Sequence, residues 1–135
     1  MLLSANMIVC ETVLNEKETD IISAIRIMNT VVLRHTNFAR FSILTFLSSQ
    51  PADFGRHVLK ISLTNQVGAP IGHVNPYEFS YGYKADLSGP GAFMLRTDVN
   101  LDTAPFGLPT NCLIAAFLDS DPQPVATIPL MLRRG

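Results

Sequence analysis

The clearest candidates for molecular recognition are four aromatic residues near the middle of the chain. If residues 77–84 are extended, Tyr77, Phe79, Tyr81 and Tyr83 lie on one face, because side chains alternate along a strand. A row of tyrosines suits stacking on sugar rings or docking of a protein, since each ring joins apolar area to a polar tip. The same alternation would serve a strand whose rings line the core and whose hydroxyls reach its rim. The row is therefore a candidate binding site, and a purely structural role stays open.

The three histidines do not form a recognisable metal motif. His35, His57 and His73 are isolated from one another and match no His-based zinc spacing. A blue-copper site would need a cysteine followed closely by histidine and methionine, yet no histidine follows Cys112. We therefore predict no metal site built from these residues.

Four aspartates fall near predicted strand ends. Asp98 and Asp102 flank the end of one segment, and Asp119 and Asp121 belong to a DSDP turn. Clustered carboxylates on sandwich loops can bind calcium, but aspartate also builds turns by hydrogen bonding to its own backbone. The spacing matches no calcium-binding loop, so we favour the turn-forming role and predict no cofactor.

Nucleophilic chemistry has one weak candidate. Cys10 precedes Glu11, but a cysteine nucleophile must ionise, and a neighbouring carboxylate opposes that. The sequence contains no Gly-x-Ser-x-Gly elbow and no phosphate-binding glycine loop. We therefore predict that the protein is not an enzyme and assign no catalytic residue.

Composition describes a single globular domain over residues 1–135. Hydrophobic residues make up 47% of the chain, charged residues 16%, and the formal net charge is −1. These values exclude a disordered chain and disfavour general electrostatic binding to nucleic acid or an anionic membrane. The two cysteines fit no metal spacing and lie in apolar stretches, which predicts reduced core residues and a cytoplasmic protein.

Glycine and proline clusters divide the chain into short segments with strand periodicity. Residues 58–64 and 93–101 alternate between apolar and polar positions, which predicts strands with one buried face. Residues 41–47 and 112–118 are almost continuously apolar, which predicts central strands covered on both faces or with one face in an interface. The pattern indicates an all-β fold, an antiparallel sandwich of about seven to nine strands of immunoglobulin-like or C2-like type.

Two segments need separate comment. Residues 20–29 have apolar positions compatible with a helix or a strand, and we favour a strand. Residues 125–132 predict a closing strand, but Pro129 cannot donate a ladder hydrogen bond. That strand is therefore expected at a sheet edge or at a bulge.

Several segments follow one another in a characteristic order: ANMIVCE at 5–11, the polar turn NEKE at 15–18, the apolar strand IISAI at 21–25, and the segments at 58–64, 68–71, 93–101, 106–108, 112–118 and 125–130. This order resembles a bacterial family of small uncharacterised β-sandwich domains. Where the family has a glycine after its second strand, this chain has Ala24 or Arg26. The resemblance implies an antiparallel β-sandwich and supplies no activity or catalytic residue.

The functional expectation follows from the weakness of the catalytic motifs and from the apolar excess. A small domain with few charges is expected to leave an apolar patch that a partner covers. We therefore predict a noncatalytic protein–protein interaction or structural module that binds a protein partner or self-associates as a homo-oligomer. The alternative is a small-ligand or carbohydrate-binding module that uses the aromatic row.

Overall fold

The computed structural model describes residues 2–15, 22–49, 55–72, 77–81 and 91–135. The regular elements of these residues are all strands, which confirms the all-β prediction. The described residues accordingly contain no helix long and apolar enough to cross a membrane. The strands are β1 (Leu2–Asn15), β2 (Ile22–Ile27), β3 (Thr30–Leu33), β4 (Phe38–Ser49), β5 (Gly55–Thr64), β6 (Pro70–Gly72), β7 (Tyr77–Tyr81), β8 (Gly91–Asp102), β9 (Thr110–Leu118) and β10 (Ala126–Arg134).

The strands form two sheets. The first has the order β2-β1-β4-β8, and the second has the order β3-β10-β9-β5-β6. β7 also pairs with β5, along the same edge as β6, so the described strands fill nine sheet positions. The pairings are antiparallel except that of β3 with β10, which is parallel. The chain changes sheet between β2 and β3 and returns to the first sheet between β3 and β4.

A hydrophobic core separates the two sheets. Its members come from the inward faces of seven strands, as alternating side chains of a sandwich require. The most deeply buried side chains are Val9, Ile43, Leu59, Leu63, Ile114, Leu130 and Leu132. A second, smaller cluster on the outer face of the first sheet joins Cys10, Val13 and Leu44.

The strand periodicity read from the sequence is confirmed where side chains are described. Leu59, Ile61 and Leu63 of β5 are all buried in the core. β4 lies between β1 and β8, and β9 lies between β10 and β5, so both are central strands, as predicted. Their outer faces are not covered throughout, since Phe46 of β4 is 38% exposed and Leu113 of β9 is 42% exposed. In β4, even the outward-facing Ser42 and Leu44 are buried.

The ambiguous segment is a strand, since β2 pairs antiparallel with β1 over five register positions from Cys10–Ile27 to Asn15–Ile22. Pro129 lies in β10 opposite Leu113 of β9. The ladder to β3 on the other side of β10 begins only at Met131. Pro129 thus occupies the part of β10 that has one neighbouring strand, as its missing N–H predicts.

Candidate functional site

The structure describes only part of the predicted aromatic row. The backbone of residues 77–81 forms β7, whose register places Tyr77 opposite Leu59, Phe79 opposite His57 and Tyr81 opposite Gly55. The side chains of these three residues, and the whole of Tyr83, lie outside the described residues. The row therefore stays a prediction.

The four aspartates perform separate local tasks. Asp102 and Asp121 each accept a hydrogen bond from the backbone N–H two residues ahead, as turn-forming aspartates do. Asp98 and Asp119 instead bind side chains of distant residues. Within the described part of the chain, no three His, Cys, Asp or Glu side chains gather as a metal site requires.

Asp119 and His57 form a pair that sequence spacing could not reveal, since 62 positions separate them. His57 Nδ1 lies 2.9 Å from Asp119 Oδ2, and the Val58 N–H donates to Asp119 Oδ1 at 2.9 Å. Burial is the largest single effect on the pKa of Asp119 and raises it. The hydrogen bonds from His57 and Val58, with the attraction of His57, outweigh burial and leave the pKa below its ordinary value.

Both cysteines are free and buried, as predicted. Burial raises the pKa of Cys112 to about 11. Burial is also the main cause of the raised pKa of Cys10, which the attraction of Arg96 only partly offsets. Cys10 is a thiol whose Sγ lies 3.7 Å from the Ser42 carbonyl oxygen. A protonated, fully buried sulfur is not a nucleophile, so the structure gives the Cys10–Glu11 pair no chemistry.

The feature most suited to binding lies where β1 and β4 diverge. β1 pairs with β4 as far as Cys10–Ser42 and from there continues alongside β2 alone. β4, however, extends to Phe38 and keeps its pairing with β8. The gap is a cavity of about 600 Å³, which we call the arginine cleft, defined by Glu11, Arg26, Ile27, Val32, Arg34 and Arg40.

Two further cavities adjoin the arginine cleft and share its residues. One of about 510 Å³ includes Val32, Arg34 and Arg40 and extends the surface to Phe38. Another of about 300 Å³ includes Glu11 and Arg40 and extends to the outer face of β8. The three cavities make one continuous, irregular surface that joins β1, β2, β3 and β4.

Arg96 closes one side of this surface. Its Nη1 donates to the Val13 carbonyl oxygen at 3.2 Å, and its Nε donates to Asp98 Oδ1 at 2.9 Å. Ser42 Oγ also donates to Asp98 Oδ1, at 2.6 Å. The hydrogen bond from Arg96, followed by that from Ser42, lowers the pKa of Asp98. Arg96 thus supplies a donor to the carbonyl of a β1 segment that has left its ladder with β4.

The charges of the arginine cleft do not balance. Arg26 Nε lies 3.3 Å from Glu11 Oε2 in an exposed ion pair. Among the residues that the structure describes, Arg34 and Arg40 have no side-chain hydrogen bond or ion pair. Counted over these described residues, the cleft carries two guanidinium groups without an ion pair, although the whole chain has a net charge of −1.

Arg26 also has an unusual backbone. Its φ is +55°, in the left-handed region, which costs a residue with a Cβ about 1–2 kcal/mol. A glycine would adopt this conformation without steric cost. The strain falls on a residue that lines the cleft, and such outliers gather at functional sites.

Apolar side chains border the arginines. Ile27 is 67% exposed, Phe38 is 45% exposed and Val32 is 37% exposed. Ile27 and Val32 line the arginine cleft itself, and Phe38 lines the adjoining cavity with Val32. The combination of arginine with exposed aliphatic and aromatic groups is typical of interface cores.

The chain matches no protein-family model, and no curated protein matches it. The resemblance to small bacterial β-sandwich domains accordingly stays a prediction.

Proposed function

We propose that the protein is a noncatalytic protein–protein interaction module whose contact surface is the arginine cleft with its apolar margin of Ile27, Val32 and Phe38. The observation that carries the proposal is the divergence of β1 from β4, which opens a large cavity and exposes apolar side chains beside unpaired arginines. Covering exposed apolar groups with a partner lowers the free energy of the system, and arginine is enriched at such contacts.

The remaining polar groups support a noncatalytic role. Both cysteines have raised pKa values, and each of the four aspartates described above holds a turn or an ion pair. The proposal retains the cytoplasmic setting expected from two unpaired cysteines, since such thiols are typical of reducing compartments.

Site-specific photocrosslinking in living cells tests the proposal. A photoreactive benzoylphenylalanine replaces Phe38 in one variant and Ile27 in a second. It replaces Val67, which is 86% exposed and lies on the β5–β6 turn, in the control. We expect a discrete protein adduct from the first two positions and none from Val67. Adducts from Val67 alone, or from no position, would contradict the proposed surface.

The mass of the adduct identifies the kind of partner. An adduct of twice 14.8 kDa would be a second copy of this chain, and sedimentation of the unmodified protein at micromolar concentration should then show a dimer or larger species. Any other mass would identify a different protein. A monomer in sedimentation excludes only the homo-oligomer and leaves the contact surface unchanged.

A further inference from the structure

We propose that the arginine cleft binds an extended acidic peptide segment, whose carboxylates pair with Arg34 and Arg40 and whose apolar side chains cover Ile27, Val32 and Phe38. This inference rests on the proposed function and adds to it the chemistry of the partner.

The first argument is charge. Arg34 and Arg40 line the same cavity, and within the described chain neither has a charged partner. The guanidinium group presents paired N–H donors that match the two oxygens of a carboxylate. A partner that brings one or two carboxylates would neutralise the excess charge, whereas a basic or neutral partner would leave it uncompensated.

The second argument is the free edge of β4. The Thr103 N–H donates to the Asn37 carbonyl oxygen, so in this antiparallel ladder the odd-numbered residues of β4 bond to β8. The N–H and C=O of Arg40 therefore point away from β8. They face the cleft, because the ladder with β1 ends at Ser42. An extended peptide can bond to such backbone groups by adding a short strand.

The third argument separates a peptide from other anions. A volume of about 600 Å³ holds several side chains and far exceeds the size of an inorganic anion. A polyanion such as nucleic acid has no apolar side chains to place on Ile27, Val32 and Phe38 and would leave this apolar margin uncovered. A peptide with alternating acidic and apolar residues satisfies the arginines, the β4 edge and the apolar margin together.

Fluorescence anisotropy with two synthetic peptides tests the inference. The probe is a labelled peptide of about eight residues that alternates leucine and glutamate, and its control replaces every glutamate with glutamine. We expect the glutamate peptide to bind the wild-type protein at least about tenfold more tightly, the scale of a charge-assisted hydrogen-bond pair. Equal binding of the two peptides would overturn the inference.

Variants locate the effect. The double variant Arg34→Gln with Arg40→Gln should lose most of the preference for glutamate. Lys60→Gln removes one positive charge, against two in the double variant, from an exposed position on β5 in the other sheet, and should change affinity less than about twofold. Thermal unfolding confirms that each variant is folded. A double variant that is folded and keeps the preference would overturn the inference.

Three further results separate this inference from a general polyanion site and from the proposed function. If an oligonucleotide competes as well as the glutamate peptide, the cleft binds polyanions in general and the acidic-peptide inference is wrong. Photocrosslinking from Phe38 without a glutamate preference would leave the interaction module standing and remove the acidic specificity. Binding of the glutamate peptide without protein adducts at Phe38 or Ile27 would support the ligand chemistry and contradict the proposed protein partner.

Discussion

Replacement of Arg26 by glycine should stabilise the protein relative to replacement by alanine. The φ of +55° costs alanine about 1–2 kcal/mol and costs glycine nothing. Glycine loses about 0.5–1 kcal/mol more than alanine through the greater freedom of the unfolded chain. The ion pair with Glu11 is absent from both variants. The midpoints of these two ranges favour glycine by about 0.75 kcal/mol.

Ser23, an exposed residue of the same strand, provides the matched control. There the order should reverse, with Ser23→Ala more stable than Ser23→Gly by about 0.5–1 kcal/mol. Urea unfolding of the four variants gives the free energies of unfolding, and equal slopes would show that the unfolded states are comparable. If alanine is at least as stable as glycine at position 26, the strain argument is wrong.

The same substitution links stability to binding. Arg26→Gly removes a guanidinium group and its exposed pair with Glu11, which contributes about 0.2–1 kcal/mol. We expect this variant to unfold with a free energy near or slightly above that of the wild type, and to bind the glutamate peptide more weakly. Retained stability together with weaker binding would indicate that the backbone strain at Arg26 is kept because Arg26 contributes to binding.

Other predictions concern the core, the second sheet and the aromatic row. Thr45 Oγ1 is buried and has no hydrogen-bond partner among the described residues, so Thr45→Val should stabilise the protein by about 1 kcal/mol or more in urea unfolding, and a loss of stability would contradict this. The pKa of Asp119 lies below 3.8 in the folded state, so its contribution to stability is present above about pH 4 and lost as pH falls through the folded-state pKa. The difference in free energy of unfolding between the wild type and Asp119→Asn should accordingly become smaller as the pH is lowered. A difference that does not change with pH would contradict the charge-based explanation. For the aromatic row, Tyr81→Ala should lower stability by about 3–5 kcal/mol if the ring lies in the core, whereas a change of about 0.5 kcal/mol or less with loss of ligand binding would support the small-ligand alternative.

Much of the fold could be predicted because strand periodicity is local. The alternation in β5 matched its buried positions, the apolar runs marked β4 and β9 as central strands, and Pro129 limited the pairing of its strand. The apolar runs did not reveal that Phe46 and Leu113 are exposed on the outer faces. For residues 20–29 the periodicity allowed a helix or a strand and we favoured a strand, and the pairing of β2 with β1 shows that strand.

The arginine cleft could not be predicted from the sequence, because it depends on where a ladder ends. Nothing local to Cys10 or Ser42 indicates that β1 and β4 separate beyond that pair. Arg26, Arg34 and Arg40 are separated by six or more residues, and only the passage of the chain between the two sheets brings them to one cavity. The single local signal was the expected resemblance, in which Ala24 or Arg26 stands where one glycine would follow the second strand.

The most direct test of the central claim is an NMR titration of the ¹⁵N-labelled protein with the leucine–glutamate peptide. If the arginine cleft is the contact surface, amide signals of Ile27, Val32, Arg34 and Arg40 should shift in a saturable manner, while those of Lys60 and its neighbours on β5 stay in place. Shifts confined to β5 and β7, or no saturable shift at the cleft, would contradict the account.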